Sequence, residues 1–331
     1  MNAIHATRSR GEPRLGAHAP KHAAAAAVTA GRPPVFHLRR GLPVAVVAVL
    51  AVVAALMTTP AKAATTSMLV GIRAAAHPTY DRVVFDFTGA GPSRVSVGWV
   101  SQLIGDASGE PVPISGRAVL QVTMHGVDAH DAGGHATVPA RTAYPLKNVI
   151  TTVQAGDYEA VVTYGIGLAA KTSFSTVRLT SPTRFVVDVS TSSLTTVGRS
   201  VYFFDDVKMA KNIDPPVTAV GRPVLATSPA TGVMDRLYAG PTPAETAAGL
   251  RFVASKSTSF SHLGIDAYRL ARVRLEGGCD SGGAAEATVQ AEIFPSLKQF
   301  PTVNWVKIYD PAGHTGTPTG QSDSIPACLE P

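Results

Sequence analysis

Three histidines, His125, His130 and His135, recur every five residues in one polar stretch, with Asp128 and Asp131 between them. A zinc site needs three or four converging nitrogen, oxygen or sulfur ligands. A spacing of five puts these side chains on neither one helix face nor one side of a strand. The trio therefore predicts a polar loop with incidental histidines, and neither a metal nor a cofactor is expected. His130 and Asp131 can instead pair with each other, or brace a loop that Gly133 and Gly134 make tight. Arg82 and Arg184 each flank an apolar run, close to Asp81 and Asp188. Two chemistries suit them: ion pairs or edge charges that block strand pairing, and hydrogen bonding to a carboxylate or glycan through the planar guanidinium fork. Trp99, Tyr158 and Tyr164 have apolar faces that can stack on sugars, although core packing uses the same area.

Covalent chemistry is poorly served. Ala75-Ala76-His77 precedes Asp280-Ser281-Gly282-Gly283, the order of a histidine base and a serine nucleophile. Proteases of that pattern keep a glycine before the aspartate, so that a backbone N–H reaches the oxyanion. Cys279 stands there instead, and Pro78 follows the histidine. The string predicts a Gly-rich turn ahead of a helix. Gly165-Ile166-Gly167 lacks both the third glycine and the following helix of a dinucleotide loop. No catalytic set results, and a non-enzymatic protein is expected.

The elements that position these residues divide in two. In residues 64–190, Val83–Phe87, Val95–Val100, Val119–Met124, Tyr158–Tyr164, Ser175–Leu179 and Arg184–Val189 are short β-branched or aromatic runs punctuated by Gly, Pro, Ser or Asp, which predicts a β-rich, sandwich-like domain. Residues 191–199 are polar and predict a linker. Residues 200–310 mix strands (Ser200–Phe204, Val217–Thr227, Tyr268–Leu275, Val303–Tyr309) with two helical patterns, Pro229–Tyr238 and Ala284–Gln299, so a small α+β domain is expected. Val289, Ile293 and Leu297 share one face of the second helix, which Pro295 should kink or end early. Residues 311–331 predict a Gly/Pro/Ser tail tied down by Cys328.

Leu42 to Met57 is uncharged and apolar, preceded by Arg39-Arg40 and followed by Ala61-Lys62-Ala63. A basic flank, an apolar stretch and a small-x-small site make a secretory signal peptide at 42–63, cut after Ala63, behind a disordered basic n-region at 1–41. The stretch is shorter than the roughly 20 residues that span a bilayer comfortably. The alternative is an uncleaved anchor, with membrane contact only through residues 42–57. Either route exports residues 64–331. In an oxidising compartment the only two cysteines, Cys279 and Cys328, are expected to form a disulfide. Eight of the 29 Lys and Arg residues, but one of the 23 Asp and Glu residues, fall in residues 1–63. The exported remainder is thus near neutral, and nucleic acid is not expected as a partner, because phosphate binding needs positive charge on the folded body.

Tyr80-Asp81-Arg82-Val83-Val84-Phe85-Asp86-Phe87, Val112-Pro113-Ile114, Ala129-His130-Asp131 with Gly133, Gly156-Asp157-Tyr158-Glu159, Gly165-Ile166-Gly167 and Ser181-Pro182-Thr183-Arg184-Phe185-Val186-Val187-Asp188 follow one another in order. With these, residues 66–190 resemble the AMIN-like domain of exported actinobacterial proteins. The resemblance implies a β-sandwich that contacts peptidoglycan or another wall polymer, with Arg82, His130, Asp131, Tyr158, Glu159 and Arg184 as binding residues. Val201-Tyr202-Phe203-Phe204, Leu237-Tyr238-Ala239-Gly240-Pro241-Thr242 with Glu245, Ala248, Gly249 and Leu250, and Gln299-Phe300-Pro301-Thr302-Val303 make residues 200–310 resemble the GerMN domain of spore-germination and envelope proteins. That resemblance implies a non-catalytic interaction module. Cys279 and Pro295 depart from its pattern. A cell-wall glycan or an envelope protein is the expected partner. The alternative is a protein-interaction or signalling module docked on a membrane protein's ectodomain, and a hydrolase fits least.

Overall fold

The computed structural model describes residues 66–283 and 287–330. The expected n-region and the signal or anchor segment lie outside the described residues. So do residues 284–286 of the expected 284–299 helix; Ala287 and Thr288 are described and not helical, and the helix runs from Val289 to Lys298.

Alternation builds the first half. In β2 (Tyr80–Thr88), Asp81, Val83, Phe85 and Phe87 point to one side and are buried. The same period of two runs through β10 (Thr183–Ser190), where Phe185, Val187 and Val189 are buried. These strands pair in register and are flanked by β1 (Ser67–Ala76), β5 (Val127–Asp128) and β9 (Phe174–Thr180), giving a five-stranded sheet of order β5-β1-β2-β10-β9. A second five-stranded sheet has the order β3-β4-β8-β7-β6, from β3 (Arg94–Val100), β4 (Ala118–His125), β6 (Arg141–Ala143), β7 (Val149–Tyr158) and β8 (Val161–Leu168). Leu120, Val122, Met124, Val162, Tyr164 and Ile166 of this sheet join Leu69, Val83, Phe85 and Val187 of the first in one core. The result is the expected sandwich.

One expected strand is corrected. Tyr158–Tyr164 does not run straight: Tyr158 ends β7 and Val161 starts β8. Glu159 and Ala160 form the two-residue turn between them, with φ of 49° and 56°. Such a hairpin turn favours Asn or Gly, and without them the apolar run on either side hides the reversal.

The Gly165-Ile166-Gly167 string sits mid-strand in β8, and its glycines have a packing role. A Cβ at Gly167 would meet Ser115 O at 2.1 Å, and one at Gly165 would meet Leu103 Cδ2 at 2.7 Å. The chain between β3 and β4 crosses this outer face closely, and Leu103 packs there with Val119 and Val153.

In the second half, β11 (Thr196–Asp205) takes in the last residues of the segment expected as a linker. It is followed by α1 (Asp206–Ala210), β12 (Val217–Leu225), α2 (Pro229–Ala239), α3 (Pro243–Ala247), β13 (Leu250–Arg251), β14 (Ser259–Ile265), β15 (Leu270–Glu276), α4 (Val289–Lys298) and β16 (Trp305–Tyr309). The strands form two three-stranded sheets, β12-β11-β13 and β14-β15-β16. Val289, Ile293 and Leu297 are fully buried along one face of α4. Pro295 lies inside that helix, which continues to Lys298 rather than ending early. A neighbouring polar stripe of α4, continued by its C-cap residue Gln299, lines the side of β11 away from β12. Gln299 Oε1 accepts from Ser200 N (2.9 Å), Ser296 Oγ from Tyr202 N (3.1 Å) and Glu292 Oε1 from Phe204 N (3.0 Å). Because β13 pairs only with Phe204 and Asp205, alternate N–H groups on that side of β11 are satisfied by the helix side chains instead of a longer strand.

Cys279 and Cys328 are bridged, with Cα atoms 5.7 Å apart. The tail is held by more than the bridge. Ser324 bonds to the backbone of Val306 and Ile308, Asp323 accepts from Val306 N, and Lys307 Nζ donates to Thr317 O and Thr319 O. The two halves belong to one compact unit. Arg236 of α2 is buried and donates to Tyr144 O and Leu146 O of the sandwich, while Asp235 takes both arms of Arg117.

Candidate functional site

The outer face of the first sheet carries the arginines. Side chains of Arg82, Val84 and Asp86 alternate outward on β2, opposite Asp188, Val186 and Arg184 on β10. Arg82 forks onto the Asp188 directly opposite it, at 2.7 and 2.8 Å. This pairing holds the Arg82 guanidinium above its usual range, through the hydrogen bond first. Arg73 on β1 forks onto Asp86 at 2.9 and 3.2 Å. Arg184 also lies opposite Asp86 in register, but among the described residues its one side-chain hydrogen bond is a long one from Nε to Pro182 O (3.3 Å). Arg73 has taken the carboxylate that Arg184 would otherwise use. His77, stacked on Tyr80 at 4.4 Å between centroids, closes one end. The cleft of about 290 Å³ has Val84 and Val186 as its floor and Arg73, Arg82, Arg184, His77 and Leu179 as its rim. It offers one uncommitted guanidinium beside an apolar surface, which suits an anionic group with an apolar flank.

The remaining expected site residues gather at the turn end of the β7–β8 hairpin. His130 Nδ1 lies 2.8 Å from Asp157 Oδ2, and Asp157 Oδ1 accepts from Ala129 N at 3.1 Å. The Asp157 hydrogen bond, with help from the charges of Asp128 and Asp131, raises the His130 pKa. Asp131 does not pair with His130. Its Oδ1 accepts from Gly133 N and His135 N, and His135 Nδ1 stands 3.2 Å from it. These backbone bonds hold its carboxyl below the usual range. The expected bracing of the loop by Asp131 is present, but His130's partner is Asp157. Tyr158 and Glu159 follow directly, with Tyr158 69% exposed. Ala160 O accepts from Gly126 N and Val127 N and ties the turn to the loop. Asp157 lies 27 residues along the chain from His130, a separation that hides the pair in the sequence. The Gly156-Asp157-Tyr158-Glu159 string was its one signal.

These two clusters lie on the same sandwich and share no residue. Residues 67–191 match the AMIN-like domain family. The match spans both clusters, from the first residue of β1 to the residue after β10. No curated protein and no solved structure matches the chain. Within the AMIN-like domain, Tyr164 is fully buried in the core and donates to Pro139 O, so it is unavailable for stacking. Trp99 packs edge-on against Phe174 with Lys171 over its ring. His77 and Ser281 line different clefts, one in the AMIN-like domain and one in the second half, so they do not meet as base and nucleophile. Asp280 pairs with Lys256 and accepts from Gly282 N, as a Gly-rich turn requires. No helix among the described residues is long and apolar enough to cross a membrane. The AMIN-like domain and the disulfide together fit an extracytoplasmic protein.

Proposed function

We propose that this is an exported, non-enzymatic envelope protein whose AMIN-like domain binds peptidoglycan or another acidic wall polymer through the cleft of Arg73, Arg82 and Arg184. The observation that carries this reading is Arg184, a guanidinium with no carboxylate partner among the described residues, at the rim of an apolar floor. The association of AMIN-like domains with peptidoglycan or envelope binding points the same way. Carboxylates of wall peptides and acidic sugars suit a planar fork, and methyl groups beside them suit Val84 and Val186. Residues 200–310, in this reading, are a GerMN-type interaction module fixed against the sandwich by Arg236.

Pulldown of residues 64–331 on purified cell wall tests the proposal. Retention that falls on Arg184→Ala supports it, and full recovery in the supernatant overturns it. A second reading, docking on a membrane protein's ectodomain, draws on the apolar cleft between the halves, about 760 Å³ and lined by Pro113, Pro139, Tyr238, Pro241 and Phe252. A crosslinked partner that requires residues 200–331 would favour it.

A further inference from the structure

The second cluster supports a conclusion independent of the arginine cleft. Asp128, His130 and Asp157 each offer one ligand atom, and the three atoms lie within 4.8 Å of one another. A zinc ion at about 2.0–2.2 Å from each ligand needs ligand separations of roughly 3–4 Å, so small side-chain adjustments close the set. One carboxylate is already fixed: Asp157 is anchored by Ala129 N. The other is uncommitted: Asp128 is held by its backbone beside Met68 of β1, while its carboxylate has no hydrogen bond or ion pair among the described residues. Asp131 adds a third negative charge next to His130 while its own oxygen is occupied by Gly133 N and His135 N. One imidazole among three carboxylates, none of them paired with Lys or Arg among the described residues, is an environment that attracts a cation.

We propose that Asp128, His130 and Asp157 form a binding site for a divalent transition metal ion, zinc foremost. His130 would ligate through Nδ1, and the ion would take the place of the proton now shared between Nδ1 and Asp157 Oδ2. Nitrogen with carboxylate oxygen is a zinc-type donor set, whereas calcium and magnesium prefer oxygen alone. Three protein ligands leave a fourth position open to water. The site ties the loop after β5 to the β7–β8 hairpin, two segments that are remote in sequence.

The test is calorimetric titration of the EDTA-treated protein with zinc chloride at neutral pH, alongside thermal unfolding with and without zinc. One zinc per chain is expected, with a rise in the unfolding temperature. His130→Ala should abolish binding. Asp128→Asn breaks no hydrogen bond of the fold and should weaken binding by about tenfold or more, the scale set by losing a ligand or its support. His135→Ala should leave binding unchanged. The absence of saturable binding up to millimolar zinc overturns the proposal. So does binding that survives both His130→Ala and Asp128→Asn, or that is lost on His135→Ala. None of these outcomes depends on wall retention.

Discussion

Arg236 Nη1 donates to Tyr144 O at 2.7 Å, carrying a buried positive charge from α2 of the second half into the sandwich. Burial lowers its pKa to about 10, and the charge of Arg222 adds to that. At neutral pH it stays charged and is satisfied by backbone carbonyls. Together with Ile150, Ala169 and Ala239 it fastens the two halves together. Replacing it with alanine strands the carbonyls of Tyr144 and Leu146 in an apolar seam. Arg236→Ala is expected to cost roughly 2–4 kcal/mol, the range for unpaired buried polar groups plus lost packing. Urea unfolding should then separate into two transitions.

Arg82 and Arg184 should separate stability from binding. Arg184→Ala removes no ion pair and should shift stability by less than about 0.5 kcal/mol, while wall retention falls. Arg82→Ala breaks a partly exposed pair with Asp188 and should cost at most about 1 kcal/mol. Parallel urea unfolding and pulldown distinguish the two effects.

Glu292 makes stability depend on pH. Burial pushes its carboxyl from 4.5 up to about 8, against the lowering effect of the Phe204 and Val253 N–H groups. Between these values the native state holds a proton that the unfolded chain has released. Stability contributed by Glu292 should therefore fall as pH rises from 4.5 to about 8. Glu292→Gln keeps an acceptor for both N–H groups and cannot ionise. Urea unfolding across that window should give a flatter profile for the variant.

Gly167→Ala should destabilise more than Gly165→Ala. The first places a methyl against the backbone oxygen of Ser115, whereas the second meets side-chain ends of Leu103 and Ile114 that can swing aside. Costs of about 1–3 kcal/mol for overpacking, with Gly167 at or above the top, are expected from thermal unfolding.

Removing the disulfide should matter as well. Cys279 and Cys328 are 49 residues apart, and cross-linking a loop of that length contributes about 4 kcal/mol in the chain-entropy model. Cys328→Ser, or a reductant, should lower the unfolding temperature. The tail should stay partly docked through Lys307, Asp323 and Ser324.

The sequence by itself determined the two central strands Val83–Phe87 and Arg184–Val189, because a side-chain period of two on a half-buried sheet is written locally there. It also determined the apolar face of α4 and, through its two cysteines, the expected disulfide. Its AMIN-like motifs marked out the matched domain to within a residue at either end. Only the tertiary structure decided what the polar side chains do. Arg82 and Arg184 look alike in sequence, yet Arg82 found Asp188 across the sheet and Arg184 lost Asp86 to Arg73. His130 turned from its neighbour Asp131 to Asp157. The hairpin at Glu159-Ala160 and the docking of Arg236 were equally hidden. Burial follows from periodicity over a few residues, but the partner of a charged group depends on which distant strands the fold brings together, and no local pattern records that competition.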